Sequence, residues 1–140
     1  MTGDDSARWG SRIAEWRADY HRALKIWFLI RSYCLERLRA RLRNHVRWAR
    51  ELAERLRAGP GFEIVTKPVL SLFTFRLKDA DDSAQIEFVN RINDDGRIYL
   101  TQTRVASGIA IRFQVGQFDT TEEDVNCAFD VITELARDPA

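Results

Sequence analysis

The chain changes character at Gly59-Pro60-Gly61. Before this tripeptide the sequence is rich in arginine and carries no strand signal. After it, β-branched and aromatic runs alternate with polar stretches. Glycine stops a helix and proline cannot continue one, so the tripeptide reads as a helix end followed by a turn. The chain is thereby constrained to a helical first half joined to a mixed second half.

In the first half, Leu35, Leu38, Leu42, Val46, Ala49, Leu52 and Leu56 recur at steps of three and four residues. That spacing sets them on one stripe of a long helix. The opposite side carries Arg37, Arg41, Arg43, Arg47, Arg50 and Arg55, interrupted by Glu36, Glu51 and Glu54. A mixed-charge face without aromatic interleaving reads as a solvated or domain-facing surface rather than a nucleic-acid site. A shorter helix, Leu24 to Tyr33, is apolar on most sides (Ile26, Trp27, Phe28, Leu29, Ile30), which predicts burial between layers and core packing for Trp27 and Phe28. Trp9 to Tyr20 also reads as helix.

The second half predicts strands at Phe62–Val65, Leu70–Leu77, Arg97–Val105 and Ile109–Val115, with Ala106-Ser107-Gly108 as a hairpin link. Helices are predicted over Asp81–Asn93, closed by Gly96, and after Thr120-Thr-Glu-Glu123, which reads as a capping box. The element order α-α-α-β-β-α-β-β-α, with strands in hairpin pairs, implies an α+β fold in which helices cover an antiparallel sheet.

The 140 residues suit one domain, and the net charge of +1 argues for neither nucleic acid nor a membrane as partner. The apolar run Ile26–Ile30 is far short of the ~20 residues of a membrane span, and Met1–Ser6 is unlike a secretory leader. The expectation is a soluble, cytoplasmic protein. Cys34 and Cys127 match no zinc or redox spacing and are expected as buried thiols. His21 and His45 are too few for a metal site and read as surface or capping groups. No metal is expected.

Several stretches, in order, resemble one family. Leu24-Lys25-Ile26-Trp27-Phe28-Leu29-Ile30-Arg31-Ser32-Tyr33 is similar to the Leu-Lys-Leu-Trp-Phe-x-x-Arg-x-Tyr run of aromatic L-amino acid decarboxylases. Phe62-Glu63-Ile64-Val65, Phe75-Arg76-Leu77-Lys78, Arg91-Ile92-Asn93, Ile98-Tyr99-Leu100-Thr101, Ile111-Arg112-Phe113 and Gly116-Gln117-Phe118 extend the match, with Thr120 to Val125 completing it. The resemblance covers Arg22 to the C-terminus. It divides the chain into a divergent helical segment, 1–21, and a decarboxylase-like domain, 22–140. It implies the small C-terminal domain of fold-type I enzymes dependent on pyridoxal 5′-phosphate (PLP), which form homodimers. It further implies a parent carboxy-lyase acting on tyrosine, tryptophan or dihydroxyphenylalanine, in which PLP takes up the electrons left by carbon dioxide.

The chain departs from the family where the chemistry would sit. The family lysine that holds PLP follows a histidine in the large domain. Here Lys25, Lys67 and Lys78 follow none. The family's Pro-Leu-Gly-Arg-Arg-Phe-Arg stretch is replaced by Arg17-Ala18-Asp19-Tyr20-His21-Arg22, which keeps only Arg22. Cys34 stands where the family has a helix-joining glycine, so it either strains a left-handed turn or lets the helix continue. The expectation is therefore no catalytic, cofactor-binding or metal residue in this chain and no PLP bound by it alone. The expected partner is the missing PLP-binding large domain or a second decarboxylase subunit. The alternative is a non-catalytic protein-binding or self-associating module. One side chain is a site candidate: Arg112, whose fork suits a substrate carboxylate, against a structural arginine paired with an acid.

Overall fold

The computed structural model describes residues 23–137, so the helix expected over Trp9–Tyr20, His21 and Arg22 lie outside it. The chain divides into two compact units, Met1–Leu42 and Arg43–Ala140. In the first, a helix runs through 23–33 (α1). Its burial expectation fails. Ile26, Trp27 and Phe28 are 59%, 53% and 58% exposed, and Leu29, Ile30 and Tyr33 are exposed as well. A helix with apolar side chains on most sides needs neighbours on most sides to bury them, and these side chains are exposed instead.

Cys34 separates α1 from a second helix, Leu35–Ala58 (α2). Its φ of 61° is left-handed, so the chain takes the turn that the family glycine implies instead of continuing the helix. For a residue with a Cβ that conformation costs about 1–2 kcal/mol. Cys34 and Cys127 are both exposed and free, against the expectation of buried thiols.

The apolar stripe of α2 is buried only from His45 onwards, through Trp48, Ala49, Leu52, Ala53 and Leu56, whereas Leu35 and Leu42 are exposed. His45 is thus a buried residue beside Trp48, with ring centroids 5.8 Å apart, and not the surface group expected. The helix stops where the sequence says: Gly59 N–H donates to the Arg55 and Leu56 carbonyls at 3.1 and 3.2 Å, and Gly61 follows at φ 96°.

Four antiparallel strands then form one sheet: Phe62–Val69 (β1), Leu72–Leu77 (β2), Thr101–Val105 (β3) and Gly108–Gln114 (β4), in the order β1-β2-β4-β3. Strand β1 outruns its expected end at Val65. It passes through Pro68 with two register shifts, which an edge strand tolerates because it has no outer ladder to complete. Leu70, expected to begin β2, lies instead in the turn at φ 53°. Strand β3 begins at Thr101 and not at Arg97. The side chain of Asn93 holds the Leu100 peptide, donating to its carbonyl at 3.0 Å and accepting from its N–H at 2.8 Å, so that peptide is already satisfied.

Between the hairpins lies Asp82–Asp95 (α3), capped by Asp81 accepting from Ala84 N–H and closed by Gly96 at φ 80°. The last helix is Glu122–Arg137 (α4). Its cap sits one residue later than the capping box predicts. Thr121 Oγ1 accepts from Asp124 N–H at 3.2 Å, and Asp124 accepts from Thr121 N–H at 2.8 Å.

One sheet face carries Phe73 opposite Phe113 and Phe75 opposite Ile111. These side chains cluster with Leu52 and Leu56 of α2, Phe88 and Ile92 of α3, and Ile132 of α4. The fold is α+β, an antiparallel sheet with helices packed on its apolar face. Among the described residues no helix is long and apolar enough to cross a membrane.

Candidate functional site

Period-two alternation along β4 sends Ile111 and Phe113 into the core and Arg112 and Gln114 to the opposite face. Paired residues of neighbouring strands share a face. The register therefore lines up one polar row across the whole sheet: Thr66 beside Thr74, Thr74 beside Arg112, Arg112 beside Thr101. The sequence reading picked Arg112 but missed the row. Its signal was the polar alternate position in each strand, which becomes a row only once register is known.

The row is held together locally. The Thr66 and Thr74 hydroxyls are 2.9 Å apart, and Thr74 N–H donates to Thr66 Oγ1 at 3.0 Å. Arg112 is exposed, donates from Nη2 to Gln114 Oε1 at 3.0 Å, and has no acidic partner among the described residues. Other arginines do: Arg39 meets Glu36, Arg57 meets Glu54, Arg47 meets Glu51 and Glu122, and Arg97 meets Asp95 and Glu134. An ion-paired structural Arg112 is thus not what the sheet contains. Its remaining N–H donors suit a planar carboxylate.

The lysines are scattered: Lys25 on α1, Lys67 on β1 and Lys78 just after β2, all exposed. Lys78 lines a cavity of about 330 Å³ with Arg55, Arg137, Phe62, Leu77 and Phe129, and none of the described residues lining it carries a carboxylate. No group of three or more His, Cys, Asp or Glu able to hold a metal occurs among the described residues. The acids near the start of α4 serve the fold. Hydrogen bonds from Thr121 hold the Asp124 carboxyl below the usual aspartate range.

The family model described as the pyridoxal-dependent decarboxylase conserved domain matches residues 12–78. Tryptophan decarboxylase TDC2 of Camptotheca acuminata is 35% identical over 122 residues, 82% of this chain and 24% of that protein. Phenylacetaldehyde synthase of Arabidopsis thaliana is 31% identical over 82% of this chain and 25% of its own length. The crystal structure of Catharanthus roseus tryptophan decarboxylase in complex with L-tryptophan superposes with a TM-score of 0.77 at 33% identity, over 84% of this chain and 26% of that one. The chain therefore spans about a quarter of the length of the relatives it matches.

The described residues do not fit PLP. A PLP lysine needs an acid at the pyridine nitrogen and a cradle of donors for the phosphate. The cavity at Lys78 has no acid among its described lining residues, and it opens beside the last turns of α2 and α4, from which Arg55, Leu56, Ala136 and Arg137 line it and whose free carbonyls oppose a phosphate. Lys25 and Lys67 line none of the cavities described.

Proposed function

The chain belongs to the pyridoxal-dependent decarboxylase family, and from that premise we propose that it is the C-terminal portion of a carboxy-lyase that turns an aromatic L-amino acid into its amine. The observation that carries this reading is that likeness in sequence covers 82% of the chain and likeness in fold covers 84% of it. Tyrosine, tryptophan and dihydroxyphenylalanine are the substrate class, and the work is cytoplasmic.

PLP, held elsewhere in the assembly, supplies the electron sink. This chain supplies the folded small domain and, at Arg112, a fork for the substrate carboxylate. Its partner is the PLP-binding large domain, in one chain or as a separate subunit, and the complete assembly is a homodimer. Alone, the chain is inactive.

The test is carbon dioxide release from the three amino acids with added PLP. The purified chain is expected to give none. The chain co-expressed with the remaining three quarters of a relative such as the Catharanthus enzyme is expected to give turnover. Turnover by the chain alone, or no co-purification with the larger piece, would contradict the proposal.

A second reading is favoured by α1. Its exposed Ile26, Trp27 and Phe28 are large apolar side chains of the kind buried in protein interfaces. On this reading the chain is a non-catalytic module that binds protein or itself, and light scattering of the full chain over a concentration series separates the two.

A further inference from the structure

We infer that the cavity between the C-terminal turns of α2 and α4 is a binding site for a small organic monoanion, a carboxylate with an apolar body. It lies on the helix-covered side of the sheet and beyond the far end of β2 from Gln114, so it is separate from the Arg112 row. Its volume of about 330 Å³ is at the lower end of small-molecule sites.

Three cations line it, Arg55, Lys78 and Arg137, with no carboxylate among the described lining residues. None of the three forms an ion pair with a described residue, whereas four other arginines of α2 and its surroundings do. Arg55 is moreover fixed in place. Its Nη1 donates to Asn126 Oδ1 at 2.7 Å, and its guanidinium carbon lies 3.8 Å from the Phe129 ring centroid. A cation held by a neutral amide and a ring face keeps its full charge for a ligand, with little left to reorganise.

The other walls set the rest of the ligand. Leu56, Phe62, Leu77 and Ala136 present hydrocarbon, so the ligand carries an apolar body next to its charge. The last turns of α2 and α4 bring carbonyl ends that attract cations and oppose concentrated negative charge. They favour a single delocalised charge over a phosphate dianion. Lys78 follows a strand and belongs to neither helix, so helix-end compensation alone leaves it unexplained.

The experiment is a titration of the full ¹⁵N-labelled chain with phenylacetate, followed by amide shifts. Phenylacetamide serves as the neutral isostere and inorganic phosphate as the dianion. The expected result is saturable shifts at Gly59, Gly61, Lys78 and Thr133 with phenylacetate. Affinity should fall about tenfold for phenylacetamide, and by a similar factor in Lys78→Gln or Arg137→Gln, because each removes one charge-assisted contact. Phosphate should bind more weakly than phenylacetate. Thermal melts of both variants check that these exposed substitutions leave the fold intact. Non-saturable shifts, equal response to the neutral isostere, tighter phosphate binding, or undiminished binding in two folded variants would each overturn the inference.

Discussion

Gln85→Met should destabilise the 43–137 unit by about 2–4 kcal/mol, although it changes no charge and little volume. Gln85 is fully buried on α3. Its Nε2 donates to the Leu77 carbonyl at 2.9 Å and its Oε1 accepts from Leu77 N–H at 2.9 Å. Leu77 lies past the last paired residues of β2 and β4, Phe75 and Ile111, so the amide takes the place of a strand neighbour there. Methionine fills the same space but leaves both groups of that peptide without a partner. A buried polar group left unsatisfied costs about 1–3 kcal/mol, and two of them on the half-buried Leu77, at about 1–2 kcal/mol each, give the stated range. The Ala80 carbonyl escapes the damage, since Arg76 Nη2 also donates to it at 2.9 Å. Urea unfolding followed by circular dichroism measures the change. At a typical slope of about 2 kcal/mol per molar, the midpoint should drop by about 1–2 M with the slope unchanged. A drop below about 0.3 M would refute the reasoning, because it would mean that water or a strand neighbour satisfies Leu77 equally well.

Two glycine substitutions should differ in size. Gly96→Ala, at φ 80° with open space at the Cβ position, should lose about 1 kcal/mol by urea unfolding, whereas Gly108→Ala should lose at least twice that, since its Cβ would collide with the Asp82 carboxylate that accepts from Ile109 N–H at 2.7 Å. The Asp124 carboxyl, held below its usual range by hydrogen bonds from Thr121, contributes stability that is present above the ordinary aspartate pKa and lost as pH falls through its folded value. Melting temperature should therefore drop with pH in that acidic window, and Asp124→Asn should flatten the drop. Finally, Trp27→Glu with Phe28→Glu should abolish any concentration-dependent association seen by light scattering, while leaving the urea midpoint of the 43–137 unit unchanged.

Much of this fold can be read from residue spacing. The helix stop at Gly59-Pro60-Gly61, the closure of α3 at Gly96 and the alternation that aims Ile111 and Phe113 inward all follow from backbone freedom and periodicity. The misses share one cause: each turns on a specific pairing or covering partner that residue periodicity does not encode. Strand β3 starts late because Asn93 occupies the Leu100 peptide. The turn at Leu70 follows from Val69 pairing with Leu72, which places a leucine in a conformation its side chain disfavours and so leaves no turn signature. The exposure of α1 was illegible because an apolar helix announces that something must cover it, not which polypeptide does. At the site, the guanidinium chemistry of Arg112 was legible. Its alignment with Thr66, Thr74 and Thr101, and its freedom from an acid, needed the register.

On the proposed function, this chain contributes a fold and a carboxylate-binding surface while the PLP chemistry resides in its partner. Borohydride trapping tests that division most directly. The purified chain is incubated with PLP, reduced and mapped by mass spectrometry, alone and then co-purified with the larger portion of a relative. The expected result is no stoichiometric label on Lys25, Lys67 or Lys78, and a single label on the partner in the complex. Full, selective labelling of any one of those three lysines in the isolated chain would contradict it.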